Sequence, residues 1–309
     1  MTTRRNLLAM LAAGSCLQAQ MPRRVQSLKI TVLTTMLTDR VGIGEWGFAA
    51  LAEADGHRIL FDTGGRPDTL VKNAKELGID LSGIKHVVLS HNHGDHTVGL
   101  SSIRSQVAAA QVHAGRGIFY SRPGPRGEGN HLVSSRAQLE GLSFVEHDKP
   151  VELAPGVWLT GPVPRKYPER NYPGSGRMIT PEGVREDTVP EDASLVFDTN
   201  EGLVVLSGCG HAGIANTLEY ARTIVRNAPI HAAIGGWHLF QLDNPKLEWT
   251  AGKLREFGVR NFLGAHCTGL EAVYRIRELN RMPREKCVVG AVGSTFDLKK
   301  GIDAGWIAR

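Results

Sequence analysis

Short apolar runs alternate with amphipathic stretches along most of the 309-residue chain. In the first half, runs rich in β-branched and apolar residues favour strands. These runs span 27–35, 47–65 (with a turn at Asp55-Gly56), 84–90, 110–115, 142–147 and 157–163. Helical periodicity predicts two helices between them, over 66–79 and 95–110.

The second half begins with a predicted hairpin over 193–213, whose turn is Asn200-Glu201-Gly202. After it, helices are predicted at 214–227, 246–258 and 269–280, and strands at 230–236, 260–266 and 286–293. Two stretches rich in proline, glycine and charge, 120–130 and 162–192, are predicted loops. Because strands and helices mix throughout with no linker, the pattern predicts one layered α/β domain.

The N-terminal segment has the pattern of a secretory signal. Arg4 and Arg5 precede an apolar run and then small residues, which resembles a twin-arginine signal over 1–20. This predicts export to the periplasm of a domain that spans 25–309. A frayed N-terminal helix and lipid attachment at Cys16 are the alternatives.

Composition narrows the class of protein. Hydrophobic residues make up 41% of the chain, and no stretch after the N-terminus is long and apolar enough to span a membrane. The formal net charge of +5 falls to +3 without Arg4 and Arg5, and no basic stripe argues for nucleic acid. The later cysteines, Cys209, Cys267 and Cys287, form no disulfide framework, and Cys287 is predicted to be buried in a strand.

The sequence LSHNHGDHTVGL places four ionisable side chains within six positions, directly after a predicted buried strand. Such groups cannot pack in an apolar core without partners, so the segment is either a solvated loop or a metal site. In an extended loop, His91 and His93 project to one side. Gly94 then allows the chain to turn, which brings Asp95 and His96 to a second position. Imidazole and carboxylate together suit Zn²⁺, Fe or Mn²⁺.

Three later strands also end in a histidine, at His211, His238 and His266. The carboxyl ends of strands in α/β architectures are where ligands and chemistry gather. We therefore expect these side chains at the rim that carries the histidine-rich segment, with His211 and His266 completing the metal shells. His238 is not needed as a ligand. It is expected to act as a general acid or, alternatively, to support a ligand by hydrogen bonding.

The segment HNHGDH matches the His-x-His-x-Asp-His signature of the metallo-β-lactamase fold superfamily, and ILFDTGG and GAHCTG match its aspartate strand and closing histidine. EWGFAALAE, GLVVLSGCGHAGI and GGWHL further resemble the branch of the methanopterin-pathway dihydropterin ribofuranosylaminobenzene phosphate synthases and related hydrolases. The resemblance implies an αββα sandwich, with two mixed sheets flanked by helices and a two-metal site.

Carried over position by position, the resemblance implies two ligand sets. They are His91 and His93 for the first metal, and Asp95, His96 and His266 for the second. Asp62 matches the strand aspartate that orients the ligand loop. The sequence departs from relatives in DTVPEDASL, which lacks the histidine of a TPGH-like turn, and His211 is taken as the replacement ligand. Relatives also place a bridging aspartate where GCGH stands, and Cys209 of this segment is either a ligand or a buried thiol at the end of a strand.

These residues predict a metal-dependent hydrolase with two divalent metal ions, zinc first, with manganese or iron as alternatives. A metal-bound hydroxide would attack an ester, phosphoester or related bond, with Asp95 and His238 as the catalytic residues. Two other functions fit the same residues. One is a di-iron redox protein of the same fold, although that branch carries a glutamate where His93 stands. The other is a non-catalytic metal-binding protein.

The loop PVPRKYPERNYPGSGRMI carries Arg165, Lys166, Arg170 and Arg177 near two tyrosines. A basic, aromatic loop over the site would suit a small-molecule substrate that is anionic or phosphorylated. A solvated surface loop is the alternative interpretation.

Overall fold

The computed structural model describes three stretches of the chain, 23–123, 136–169 and 176–306. The predicted signal segment 1–20, with Cys16 in it, lies outside the described residues, as does Arg170 of the basic loop. Within the described stretches, no helix has the length and apolar character needed to span a membrane.

The described residues form seventeen strands, six α-helices and two short 3₁₀ helices at Arg136–Leu139 and His266–Thr268. The strands are β1 (Leu28–Thr34), β2 (Ala49–Ala54), β3 (His57–Phe61), β4 (His86–Leu89), β5 (Gln111–Gly115), β6 (Ser143–His147), β7 (Val151–Ala154), β8 (Val157–Leu159), β9 (Arg177–Thr180), β10 (Gly183–Glu186), β11 (Ser194–Thr199), β12 (Gly202–Ser207), β13 (Ile230–Gly235), β14 (Asn261–Gly264), β15 (Cys287–Val289), β16 (Thr295–Asp297) and β17 (Gly301–Asp303). The helices are α1 (Thr69–Glu76), α2 (Gly94–Thr97), α3 (Leu100–Ile103), α4 (Ile214–Ile224), α5 (Asn244–Glu256) and α6 (Leu270–Leu279).

Two mixed sheets form the centre of the fold. The first has the strand order β17-β16-β1-β2-β3-β4-β5-β6, and the second has the order β15-β14-β13-β12-β11-β8-β7. Strands β3 to β6 run parallel to one another, as do β12 to β15. The other pairs within these sheets are antiparallel. With the flanking helices, this arrangement confirms the predicted αββα sandwich.

The main core lies between the two sheets. The first sheet contributes Ile59 and Phe61 to it and the second contributes Phe197, and all three are fully buried. A second core covers the opposite face of the first sheet, where Val87 belongs to the same cluster as residues of α1. Burial on both faces of the sheet explains why the sequence 84–90 is nearly continuously apolar.

The helix predicted over 95–110 is wrong in extent, because two four-residue helices, α2 and α3, occupy this stretch. The carbonyl of His96 accepts hydrogen bonds from the backbone nitrogen of Thr63 at 2.7 Å and from its hydroxyl at 2.9 Å. These bonds compete with the ladder that would extend α2. They also tie the histidine-rich segment to the end of β3.

The stretch 162–192, predicted as a loop, contains the hairpin of β9 and β10 in its described part. Every residue of β10 is exposed, so this strand lacks the alternation of buried and exposed residues that a half-buried strand shows. Strands β7, β16 and β17 were likewise not predicted. The hairpin at 193–213 is confirmed, with Thr199 paired to Gly202 across its turn. Cys287 is confirmed as a buried strand residue.

Candidate metal centre

Four strand ends deliver the predicted site residues to one rim of the sandwich. His91 follows β4 of the first sheet, whereas His211, His238 and His266 follow β12, β13 and β14 of the second. These last three strands are parallel neighbours, so their carboxyl ends lie side by side. The fold therefore brings together side chains that are far apart in the sequence.

The first set of converging atoms consists of three imidazole nitrogens. His91 Nε2 lies 3.1 Å from His93 Nδ1 and 3.2 Å from His211 Nε2. One ligand atom from each of the three residues lies within 4.8 Å of the other two. The second ring nitrogen of His91 contacts Ser90 Oγ at 2.8 Å, which fixes the orientation of the ring.

The second set combines a carboxylate with two imidazoles. Asp95 Oδ2 lies 3.2 Å from His266 Nε2 and 3.7 Å from His96 Nε2. These three residues also offer ligand atoms within 4.8 Å of one another. Because α2 begins at Gly94, the chain turns there and places Asp95 beside His266, while the ring of His96 stays 4.2 Å from that of His91.

Cys209 lies between the two sets, with its Sγ 3.1 Å from His96 Nε2. It forms one possible ligand group with His91 and His96. It forms another with His266 and Cys267, and the two sulfur atoms are 3.2 Å apart. This geometry accommodates both alternatives for Cys209, a metal ligand and a buried thiol that pairs with Cys267.

Asp62 holds the ligand loop from behind. Its Oδ1 accepts the N–H of Ser90 at 2.7 Å, and its Oδ2 lies 2.7 Å from both Ser90 Oγ and His96 Nδ1. Gly208 leaves room for this contact, because a Cβ at that position would clash with Ser90 Oγ and Asp62 Oδ2. The contact directs Nε2 of His96 toward the second set.

Burial keeps the imidazoles of the first set neutral. It lowers the pKa of His91 and of His211 well below the usual value, and neighbouring histidines lower both further. Burial likewise lowers the pKa of His93 to about 4. The neutral imidazole is the form that binds a metal ion.

Carboxylates dominate the electrostatics of the second set. Burial acts to lower the pKa of His96, but the charges of Asp95 and Asp62 raise it to about 9. Burial opposes the ionisation of Asp95, yet His96 and His266 hold its pKa well below the usual range. The carboxylates therefore favour positive charge at this point, which a proton on His96 or a bound cation can supply.

The donor sets fit metal ions. Three ring nitrogens that converge on one point can offer their lone pairs to a single cation, because a neutral imidazole carries a proton on only one of its two nitrogens. Tetrahedral Zn–N bonds of about 2.0–2.1 Å place neighbouring ligand nitrogens roughly 3.3 Å apart. The separations of 3.1 Å and 3.2 Å at His91 Nε2 are close to that spacing.

His238 lies beside the first set but belongs to none of the ligand groups found among the described residues. Its ring centroid is 4.9 Å from that of His211, and its backbone nitrogen donates to Cys267 Sγ at 3.3 Å. His238, Asp62 and His266 have positive φ values of 50°, 58° and 46°. Strained backbone of this kind concentrates at functional sites.

The sequence analysis missed two buried carboxylates that support the ligand loops. Glu191 Oε1 accepts the backbone N–H of Asn92 at 3.1 Å, and Arg122 donates to both oxygens of the same carboxylate at 2.6 and 2.7 Å. Asp192 Oδ2 accepts the N–H of Ala212 at 2.9 Å. Both acids lie in the stretch that lacks the relatives' histidine. The only signal there was two adjacent acidic residues before a buried strand.

The described part of the basic loop is tied to the protein. Arg165 Nη1 donates to the carbonyl of His211 at 2.7 Å, and Lys166 pairs with Glu219 of α4 at 2.6 Å. Arg177 begins the exposed hairpin. The loop thus supports the turn that carries His211, and a preference for anionic substrates stays a prediction.

Comparison with known proteins agrees with this geometry. Residues 47–225 match the family model of the metallo-beta-lactamase superfamily, a stretch that includes the histidine-rich segment and His211. The chain therefore belongs to this metal-dependent superfamily, and its structure carries candidate metal ligands where the resemblance implied them.

Individual relatives point to the predicted branch. The 7,8-dihydropterin-6-methyl-4-(beta-D-ribofuranosyl)-aminobenzene-5'-phosphate synthase of Methanocaldococcus jannaschii is 31% identical over 225 residues, which are 70% of this chain and 76% of that protein. An uncharacterised protein of the same organism is 28% identical over 261 residues, 82% of this chain and 93% of its own length. A crystal structure of a metal-dependent hydrolase of the beta-lactamase superfamily has a TM-score of 0.74 and 28% identity, and covers 87% of this chain and 98% of that chain.

Proposed function

We propose that the protein is a hydrolase that binds two divalent metal ions, zinc in preference to manganese or iron. The observation that carries the proposal is the convergence of two donor sets at one rim of the sandwich. The first ion is assigned to His91, His93 and His211, and the second to Asp95, His96 and His266. When bound, such a metal pair supplies Lewis acidity and lowers the pKa of water. The substrate is a small molecule with an ester, phosphoester or related bond.

Asp95 is proposed to position the attacking water. Its side chain is 20% exposed, whereas those of His96 and His266 are fully buried. The two imidazoles keep its carboxylate ionised, so an oxygen of Asp95 can accept a hydrogen bond from water at the mouth of the site. Asp62 contributes indirectly. It contacts His96 Nδ1 and so holds the ring with Nε2 turned toward Asp95.

His238 is proposed to donate the proton to the leaving group. Its ring lies next to that of His211, yet the residue belongs to neither donor set. An imidazole titrates in the range that suits proton transfer near neutral pH. His238 also has a positive φ of 50°, a strained conformation of the kind that concentrates at functional sites.

A panel of substrates tests the function. The purified chain, reconstituted separately with zinc, manganese and iron, is offered carboxylic esters, lactones, thioesters, phosphomonoesters and phosphodiesters. We expect turnover in one class that a chelator abolishes and the metal restores. If the metal content is restored but no substrate class is turned over, the proposal of a hydrolase is contradicted. The chain would then be a non-catalytic metal-binding protein.

Export is a separate proposal that rests on Arg4 and Arg5. Replacing both by lysine should leave the precursor in the cytoplasm, because twin-arginine signals are recognised through that pair. Cell fractionation measures the effect, and unchanged export of the double variant would contradict the proposal.

A further inference from the structure

We propose that Trp46 and Phe240 bind a flat, unsaturated ring of the substrate beside the metal centre. This inference rests on the proposed function, since it concerns the molecule on which the donor sets act. The two side chains, called here the aromatic corner, meet edge to face. Their ring centroids are 5.7 Å apart and their planes are inclined by 73°. They therefore form two walls at a steep angle to each other.

The aromatic corner adjoins the site from two directions. The ring of Trp46 lies 4.8 Å from that of His266, a residue of the second donor set. The ring of Phe240 lies 5.2 Å from that of His238, the proposed proton donor. A substrate ring in this corner would thus place its neighbouring bond between the groups that act on it.

The backbone on both sides of Trp46 is anchored. The N–H of Phe48 donates to the carbonyl of Asp95 at 3.0 Å, which couples this turn directly to the ligand loop. On the other side, the backbone N–H of Glu45 donates to the carbonyl of Thr35 at 2.9 Å. Despite this anchoring, Trp46 is 52% exposed. The fold therefore holds a large apolar side chain at the surface in a defined place.

Phe240 is positioned in a similar way from the other sheet. Its backbone packs against Gly269, where a Cβ would lie 2.6 Å from Phe240 Cβ, so only glycine permits the approach. Gly269 also has a positive φ of 80°. Phe240 nonetheless remains 42% exposed. Two anchored, exposed aromatic residues that contact each other next to a reactive centre indicate a binding surface, whereas isolated exposed apolar residues are ordinary.

The shape of the corner selects the chemical class of its ligand. Aromatic rings prefer edge-to-face and offset-stacked contacts, and the two walls offer a face and an edge at once. A flat ring can satisfy both contacts, but a puckered saturated ring of the same size cannot lie flat against either wall. The preferred substrates should therefore carry an aryl or heteroaryl group close to the bond that is cleaved.

Calorimetric binding of benzoate and cyclohexanecarboxylate to the zinc-loaded protein tests this inference. The two anions offer the metal centre the same carboxylate and differ in the flatness of the ring. We expect benzoate to bind about tenfold more tightly, the effect of an aromatic contact of roughly 1.4 kcal/mol. Trp46→Ala and Phe240→Leu should each reduce the preference to less than about threefold, with unchanged metal content. Trp249→Ala removes an indole of similar exposure (40%) on α5 and should leave the preference intact.

Equal affinities in the unaltered protein, or a preference that survives both substitutions in the corner, would overturn the inference. Benzamide and cyclohexanecarboxamide are the uncharged counterparts of the two anions. Comparing their binding distinguishes failure of the inferred ring site from failure of the proposed function. If the chain hydrolyses nothing, a preference for benzamide that depends on Trp46 would still support the ring site. If the chain is an active metal-dependent hydrolase without any ring preference, the inference fails and the proposed function stands.

Discussion

Two groups of histidines in this molecule have ring nitrogens in contact with one another and differ in how those nitrogens are arranged. One is a row on the adjacent parallel strands β4, β5 and β6, formed by His86, His113 and His147. His86 Nδ1 lies 3.0 Å from His113 Nε2, and His113 Nδ1 lies 3.0 Å from His147 Nε2. Each neutral ring can donate from one nitrogen and accept at the other, so the row is satisfied without an ion.

At the candidate metal centre the nitrogens converge instead. His91 Nε2 meets two other ring nitrogens at once, those of His93 and His211. Burial lowers the pKa of His93 and of His113 alike, to about 4 in each case. Burial and basicity therefore do not distinguish a ligand from a structural histidine. The number of donor atoms that point at one place does.

The largest expected effect comes from breaking that convergence. His91→Ala should abolish metal-dependent hydrolysis, because the residue contributes the nitrogen at which the first set meets. The matched control is His113→Ala, which removes a buried imidazole from the row. Activity with the best substrate of the panel, measured for both variants at equal folded concentration, checks the contrast. Equal losses of activity in the two variants would contradict the assignment of a catalytic role to the converging histidines and a structural role to the row.

His238 belongs to neither histidine group. Its ring lies next to that of His211, but it is not a member of either donor set. His238→Ala should keep both metal ions while kcat falls by about 10²–10⁴, as expected for loss of a general acid. The fall should be steepest for substrates with poor leaving groups, which most need the proton. A plot of rate against leaving-group pKa for both proteins is the measurement. Loss of metal, or a uniform slowing of all substrates, would identify His238 as a ligand or a support.

A smaller effect, on metal affinity, is expected from Asp62, which supports the ligand loop. Asp62→Asn removes the charge that His96 Nδ1 and Ser90 contact, and so loosens the ring that faces the second set. Such supporting groups typically contribute 10–100-fold to metal affinity, so we expect a loss of about that size. Competition with a chromophoric chelator measures it. Zinc affinity equal to that of the unaltered protein would show that packing alone holds His96.

The smallest effect concerns the row. Burial lowers the pKa of His113 to about 4 from 6.5, and lowers that of His86 and of His147 as well. Since the folded-state pKa lies below the unfolded value, the unfolded chain binds protons first. Stability is therefore lost as the pH falls below about 6.5. For His113 alone the loss should be on the order of 1 kcal/mol by roughly pH 5, because solvent screens part of the effect.

Urea unfolding of the unaltered protein and of His113→Leu, at mildly alkaline and mildly acidic pH, checks this expectation. The leucine variant should lose less stability on acidification, because it no longer contains the buried imidazole. Other charged groups act on the row's ends, His57 and Lys85 on His86 and Asp148 on His147, and they remain in both proteins. Identical pH dependence in the two proteins would show that protonation of His113 is not linked to unfolding.

The sequence was sufficient for much of the fold and for the location of the site. Periodicity indicated the buried strands, and the position of His211, His238 and His266 at strand ends predicted their common rim. Other features depend on tertiary contacts that no local pattern records. The break after α2 follows from Thr63, which bonds to the carbonyl of His96. The support from Glu191 requires a partner in the ligand loop, and that contact exists only after folding.

The aromatic corner was equally invisible before folding. Trp46 and Phe240 lie on different loops, and nothing in either local sequence indicates that the rings meet. The two histidine groups show the same limit. His86 begins β4 and His113 lies within β5, and only the folded structure shows that their ring nitrogens form a row and not a converging set.

Metal content tests the central claim most directly. Elemental analysis of the chain after zinc reconstitution and removal of excess metal should give about two equivalents, one for each donor set. His211→Ala should retain the equivalent of the second set, and His266→Ala that of the first. His147→Ala, in the row, should retain both. A chain that binds no zinc, or that binds equal amounts in all three variants, would contradict the assignment of the converging histidines to two metal ions.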